Sequence, residues 1–122
     1  MIQPRKEVLT IPVHRSRSRN HTATKHWTKY YEMKTEIEML IRSVRPRHFV
    51  IFERPVHITM IASFEKRSHI DASNIDDKIY VDAMRYAKVI KDDNFDYNPI
   101  VTKEVRINTG EDKVEIIIEE LT

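Results

Sequence analysis

The amino-acid sequence predicts an α+β fold, with one mixed four-stranded sheet packed by two main helices in the order β-α-β-α-β-β. Segments with apolar side chains at every second position, typical of half-buried strands, alternate with segments whose apolar side chains recur at helical spacing. The connections between the first three strands are long enough to contain helices. At 122 residues the chain has room for one domain, residues 1–122, with a modest core.

Residues 6–13 form the first predicted strand, and Pro12, which lacks a backbone N–H, favours an edge position for it. The segment that follows, H-R-S-R-S-R-N-H-T-A-T-K, has no side chains that could form a core. Alternating arginine and serine favours flexible contacts to phosphates, so we expect a DNA-contacting loop; an ordinary disordered loop is the alternative. Its expected phosphate contacts are Arg15, Arg17, Arg19 and Lys25.

Residues 27–44 form the first predicted helix, which Pro46 ends. Its apolar side chains at helical spacing are Tyr30, Met33, Ile37, Leu40, Ile41 and Val44. The aromatic rings of Trp27, Tyr30 and Tyr31 are suited to stacking on unpaired bases. We expect instead that Trp27 and one of the tyrosines fill the core.

The second predicted strand follows Pro55, and its alternation indicates one buried face. The side chains expected on that face are Val56, Ile58, Met60, Ala62 and Phe64. The strand leads through a basic pair, Lys66 and Arg67, which we expect to contact DNA. His69 and Asp71 follow, which puts the acid at a strand end, a common position for active-site groups. Two roles are open to His69, a proton relay near a metal ion and an exposed residue of the connecting segment. We expect the second.

The stretch from His69 to Asn94 gathers six acidic residues around a predicted helix of about sixteen residues. They are Asp71, Asp76, Asp77, Asp82, Asp92 and Asp93. Crowded carboxylates repel one another, which indicates either a hard divalent cation between them or a surface on which all of them face water. A straight helix of that length spans about 24 Å, so other contacts would have to bring the acids at its two ends together.

Polar and apolar stripes run along this helix. Asn74, Lys78 and Asp82 recur every four residues. The apolar stripe beside them is Ile75, Ile79, Ala83, Tyr86 and Ile90. Lys78 is therefore placed either to neutralise an oxyanion at the acidic cluster or to form an ordinary ion pair with Asp82. Asn74 also has the spacing of a helix N-cap whose partner is Asp77.

The last two strands, residues 100–107 and 113–119, are predicted to form a hairpin. Gly110, the only glycine, supplies its turn.

The acidic stretch resembles the RusA family of Holliday-junction resolvases and its phage relatives. The matching residues are Asp71-Ala72-Ser73-Asn74, Lys78, Asp82-Ala83-Met84 and Asp92-Asp93. Ser73 stands where the family usually has its second acid. Lys78 follows Asn74 by four positions rather than three, which keeps both on one helix face. Asp76 or Asp77 could supply the missing carboxylate, although the helix dipole alone also favours acids in a first turn.

The resemblance implies a Mg²⁺-dependent, structure-selective endodeoxyribonuclease that resolves Holliday junctions or other branched DNA by paired phosphodiester hydrolysis. It makes Asp71, Lys78 and Asp93 catalytic, with the two carboxylates as metal ligands and the lysine as the group that stabilises the oxyanion. By extension, Asp92 is a third metal ligand. The possible outer metal shell comprises Ser73, Asn74, Asp76 and Asp77.

The resemblance also implies a homodimer, because a two-fold symmetric junction must be nicked on two strands. Asn20 is the loose counterpart of a family asparagine that follows the first strand, and we count it among the DNA contacts. Mn²⁺ is expected to substitute for Mg²⁺, and no small-molecule cofactor is expected.

Charge and composition agree with an intracellular DNA-binding protein. Residues 1–54 contain twelve Lys or Arg and five acidic residues, whereas residues 55–122 contain nine and fourteen. A basic half beside an acidic cluster suits a nuclease that grips a polyanion. The absence of cysteine excludes disulfides and zinc–thiolate sites. With no apolar leader and no membrane-length apolar run, we expect a cytoplasmic protein without a membrane partner.

The sequence leaves two other functions open. Ser73 makes a catalytically impaired branched-DNA-binding module of the same fold the main alternative. The other is an adaptor whose acids are solvated and whose basic half binds an acidic partner.

Overall fold

Four strands and two helices follow one another in the predicted order. The computed structural model describes residues 3–13, 26–67, 76–91 and 99–121. Its elements are β1 (Lys6–Pro12), α1 (His26–Val44), β2 (Val56–Phe64), α2 (Asp77–Tyr86), β3 (Ile100–Ile107) and β4 (Lys113–Glu120). The predicted α+β fold is thereby confirmed, and the bounds of α1 and the strands lie within about a residue of those predicted.

The sheet has the strand order β1-β4-β2-β3. β4 is antiparallel to both of its neighbours, whereas β2 and β3 are parallel. The sheet is therefore mixed, as predicted, and α2 lies in the crossover between the two parallel strands. β1 forms one edge, which confirms the position that Pro12 favoured.

The predicted hairpin of β3 and β4 is wrong, because β2 lies between them. Their connection instead passes the end of β2, where Asp112 Oδ1 accepts the backbone N–H of Glu65 at 2.8 Å. The crossover places β3 on one side of β2, and β4 pairs with its other side. β2 is also more buried than its alternation predicted, since Ile61 and Ser63 on the second face are only 9% and 2% exposed. Such a strand lies naturally in the interior of the sheet.

The second helix ends earlier than predicted, after ten residues. Lys88 adopts a positive φ of 62° just past the helix. The backbone N–H of Val89 then bonds to the carbonyl of Met84 at 2.9 Å, and that of Lys88 to the carbonyl of Arg85 at 3.1 Å. These two bonds define a Schellman motif, which closes a helix. The apolar pattern continues past the end of the helix because Ile90 is buried outside it, where it pairs with Phe52 in an isolated β-bridge.

One face of the sheet and the two helices enclose the core. The largest fully buried side chains are Tyr80, Phe52, Phe64, Ile11, Ile37, Ile41, Ile58, Met84, Ile116, Ile118, Val89 and Val114. Both helices contribute to this set, and so do all strands except β3. α2 is therefore held against a continuous apolar layer. Neither described helix is long and apolar enough to cross a membrane.

Candidate functional site

The first turn of α2 is fixed by its own cap. Asp76 has an extended backbone, with φ −74° and ψ 104°, and its Oδ1 accepts the backbone N–H of Lys78 at 3.0 Å. Asp76 is therefore the N-cap of a helix that begins at Asp77. The interpretation of Asn74 as the cap, with Asp77 as its partner, is wrong.

Asp77 links the start of α2 to the sheet. Its Oδ1 lies 3.2 Å from Lys103 Nζ on β3, and both side chains are partly exposed. An ion pair this exposed stabilises the fold only weakly. It nevertheless gives Asp77 a partner within the fold, as the cap does for Asp76.

Lys78 projects from this anchored turn into solvent. Its Nζ lies 5.8 Å from the centroid of the Tyr30 ring on α1, at the outer limit of a cation–π contact. Among the described residues, no carboxylate lies within ion-pair distance of its ammonium. The ordinary Lys78–Asp82 ion pair, one of the two sequence-based alternatives, is thus not formed.

Asp82 pairs with two other residues instead. The Tyr30 hydroxyl donates to Asp82 Oδ2, and Arg85 Nη1 donates to Asp82 Oδ1 at 3.1 Å. Burial, and then the hydrogen bond to Asp82, raise the pKa of Tyr30 well above its usual range. The phenol therefore stays protonated and acts as the donor. We call Tyr30, Asp82 and Arg85 the tyrosine–aspartate cluster.

A second contact between the helices surrounds Lys34, a charged residue that is only 4% exposed. Its Nζ lies 3.6 Å from the centroid of the Tyr86 ring and 4.5 Å from that of Tyr31, and Glu38 Oε1 lies 3.8 Å away. Two rings and a carboxylate thus compensate the buried charge.

The two tyrosines of α1 differ in their exposure. Tyr30 packs against the core, as expected for one tyrosine, whereas Tyr31 is exposed. The side chain of Trp27 lies outside the described part. Sequence reasoning missed the tyrosine–aspartate cluster, because Tyr30 and Asp82 are 52 residues apart and no local pattern links them.

Of the predicted DNA contacts, Lys66 and Arg67 are described, and both are exposed just after β2. The other predicted site residues lie outside the described part of the chain: Asp71, Ser73, Asn74, Asp92, Asp93, Arg15, Arg17, Arg19, Asn20 and Lys25. His69 also lies there. Within residues 3–13, 26–67, 76–91 and 99–121, no three acidic or histidine side chains are grouped to hold a metal ion.

No protein-family model matches the chain, and no curated protein is significantly similar to it. The resemblance to the RusA family therefore rests on the residues and spacings of the acidic stretch.

Proposed function

We propose that the protein is a Mg²⁺-dependent, structure-selective endodeoxyribonuclease that resolves Holliday junctions or other branched DNA in the cytoplasm of a bacterial or phage-infected cell. The observation that carries the proposal is the setting of Lys78. It is exposed on a helix turn anchored to β3 and capped by Asp76, and none of the described carboxylates neutralises it. A cation in this setting is available to a phosphoryl oxygen.

The proposed metal ligands are Asp71, Asp92 and Asp93. Carboxylate oxygens are the ligands that Mg²⁺ prefers, so the chemistry of this donor set fits the ion. When bound, Mg²⁺ activates water and neutralises charge on the phosphoryl group. Asp71 and Asp93 would hold the ion, Asp92 would share the ion or orient the set, and Lys78 would neutralise charge on the phosphoryl oxygen from the side of α2.

A shared ion requires the segments on either side of α2 to bring Asp71 and Asp93 together. Asp71 precedes Asp76 by five residues, and Asp93 follows Lys91 by two. Extended chain reaches at most about 3.5 Å per residue, so the two segments together reach about 24 Å. The ten residues of α2 rise by about 15 Å, and the chain turns after them in the Schellman motif at Lys88.

The proposed substrate explains the basic residues and the expected dimer. The exposed Lys66 and Arg67, with the arginines of residues 15–19, would contact backbone phosphates. A C₂ homodimer would present two acidic sites to the two strands of a junction. We expect a dimer in light scattering, and a monomer at all concentrations would contradict the resolution of four-way junctions.

A synthetic four-way junction tests the proposal. We expect nicking in Mg²⁺ or Mn²⁺ that EDTA stops and that Asp93→Asn abolishes. Glu111→Gln is the matched control, because it removes an exposed carboxylate from the turn after β3 and should leave the rate unchanged. Failure of the wild-type protein to cut across titrations of both ions would contradict a nuclease.

One observation favours a catalytically impaired DNA-binding module as the second candidate. Ser73 replaces a family acid, and the nearest described carboxylates have structural roles, Asp76 as the N-cap and Asp77 in the ion pair with Lys103. Binding of the junction without cleavage would identify this module. Equal affinity for branched and linear DNA at moderate salt would instead favour the adaptor.

A further inference from the structure

Lys78 and Asp82 are four residues apart on α2 and would ordinarily form an ion pair with each other. Both oxygens of Asp82 are already engaged. Oδ2 accepts the Tyr30 hydroxyl and Oδ1 accepts Arg85 Nη1. The Asp82 carboxylate is thus directed towards α1 and the next helical turn, away from the lysine.

The cluster is more sheltered than the lysine. The side chains of Arg85 and Asp82 are 13% and 27% exposed, and Tyr30 packs against the core. Hydrogen bonds to a charged group are stronger in such partly buried surroundings. The exposed Lys78 ammonium therefore competes poorly for Asp82, and it lies over the Tyr30 ring instead.

We propose that Tyr30 is a positioning residue that holds Asp82 away from Lys78 and so leaves the lysine ammonium available to an anionic phosphoryl group. The identity of this anion rests on the proposed nuclease function. The contacts that position the lysine do not depend on it. Tyr30 has two roles: its hydroxyl donates a hydrogen bond to Asp82, and its ring lies beneath the ammonium of Lys78.

Tyr30→Phe separates these two parts, because it removes the hydroxyl and keeps the ring. We expect Asp82 Oδ2, once released, to pair with Lys78. In the wild-type protein the ring current of Tyr30 should shift the Lys78 Hε proton signals upfield, and Tyr30→Phe should reduce that shift although a ring remains. The double variant Tyr30→Phe, Asp82→Asn should restore it, since the competing charge is gone.

Cleavage provides the second readout. Single-turnover cleavage at saturating junction should slow by about two- to threefold in Tyr30→Phe, the ratio expected from an i,i+4 ion pair, and recover in the double variant. Junction affinity should change little. Tyr31→Phe is the matched control, because the exposed Tyr31 contacts Lys34 rather than Lys78.

A Tyr30→Phe variant with the wild-type Lys78 signals and cleavage rate would overturn the inference. So would a double variant whose Lys78 signals do not recover. Amide spectra of each variant establish that it is folded. If the wild-type protein cuts no branched DNA, the nuclease proposal fails, whereas the Lys78 signals still decide whether Tyr30 and Asp82 position the lysine.

Discussion

Two tyrosines of the core region have raised pKa values for different reasons. At Tyr30, burial acts together with the hydrogen bond to Asp82. At Tyr80, burial alone raises the pKa. Tyr80 is fully buried, and its hydroxyl has no hydrogen-bond partner among the described residues. The same residue type thus links two helices at one position and fills apolar space at the other.

Removal of the Tyr80 hydroxyl should therefore be tolerated. A buried polar group without a partner contributes an unfavourable desolvation term, so we expect Tyr80→Phe to maintain or raise the free energy of unfolding at pH 7. Tyr80→Ala should lower it by about 3–5 kcal/mol, because it leaves a large cavity. Urea unfolding measures both. A loss of more than about 1 kcal/mol in Tyr80→Phe would show that the hydroxyl is bonded in solution.

Tyr80→Phe should also change how the free energy of unfolding depends on alkaline pH. A raised folded-state pKa means that the folded protein keeps a proton that the unfolded chain loses above about pH 10. Burial of Tyr80 therefore lowers the free energy of unfolding progressively as pH rises from about 10 towards the folded-state value. Between pH 10 and 12 the free energy of unfolding should fall less steeply in Tyr80→Phe than in the wild type, by up to about 1.4 kcal/mol per pH unit. Identical slopes would contradict this burial effect.

At the scale of single elements, α2 shows what local patterns can and cannot predict. Its existence and part of its buried face followed from the spacing of apolar residues: Ile79 and Ala83 are buried as predicted, whereas Tyr86 of the same predicted stripe is 53% exposed. Its end did not, because residue 88 is a lysine and the only glycine lies at 110. Without a glycine after the helix, the sequence carried no signal for the Schellman motif.

Lys88→Gly tests this interpretation of the helix end. Lys88 is exposed and has a φ of 62°, where an L side chain is strained and glycine is not. We expect the variant to be more stable than the wild type by roughly 0.5–1 kcal/mol. Thermal or urea unfolding measures the difference.

Thr35→Gly is the opposite control for Lys88→Gly. Thr35 is exposed in the interior of α1, where glycine should lower stability by several tenths of a kcal/mol. If Lys88→Gly also lowered stability, residue 88 would not adopt the left-handed conformation in solution.

Strand pairing illustrates a different limit of local patterns. The bounds of β3 and β4 were predicted almost to the residue, yet their partners were not. A short connection with a glycine favours a hairpin, and sequential strands usually pair. Here the parallel crossover through α2 fixes β3 on one side of β2, and the connection with Gly110 passes the strand end. Such pairings depend on contacts between distant segments.

At the scale of the whole molecule, the fold brings α2 into contact with both α1 and the sheet. Asp82 bonds Tyr30 on α1, and Asp77 bonds Lys103 on β3. Lys78 lies between these two attachments in sequence, and among the three predicted catalytic residues it is the one within the described part of the chain. The carboxylates that the sequence assigned to the metal lie outside the described part, and their meeting stays a prediction.

Sequence reasoning could supply the residue types of the proposed site but not their surroundings. Helical spacing and the family resemblance both selected Lys78, and the resemblance selected Asp71 and Asp93. Whether Lys78 pairs with Asp82 depended on Tyr30, which lies in a different element. The choice between an ordinary ion pair and an available cation therefore required the packing of α1 against α2.

The proposed nuclease requires Asp71 and Asp93 to hold one and the same ion. Mn²⁺ binding, followed by the electron paramagnetic resonance signal of the free ion, tests it most directly in the wild type, Asp71→Asn, Asp93→Asn and the control Glu111→Gln. A shared ion predicts that either aspartate substitution removes the same tight site, and that the control keeps it. Tight Mn²⁺ binding that survives both substitutions, or two sites that are lost separately, would show that the two aspartates do not share an ion.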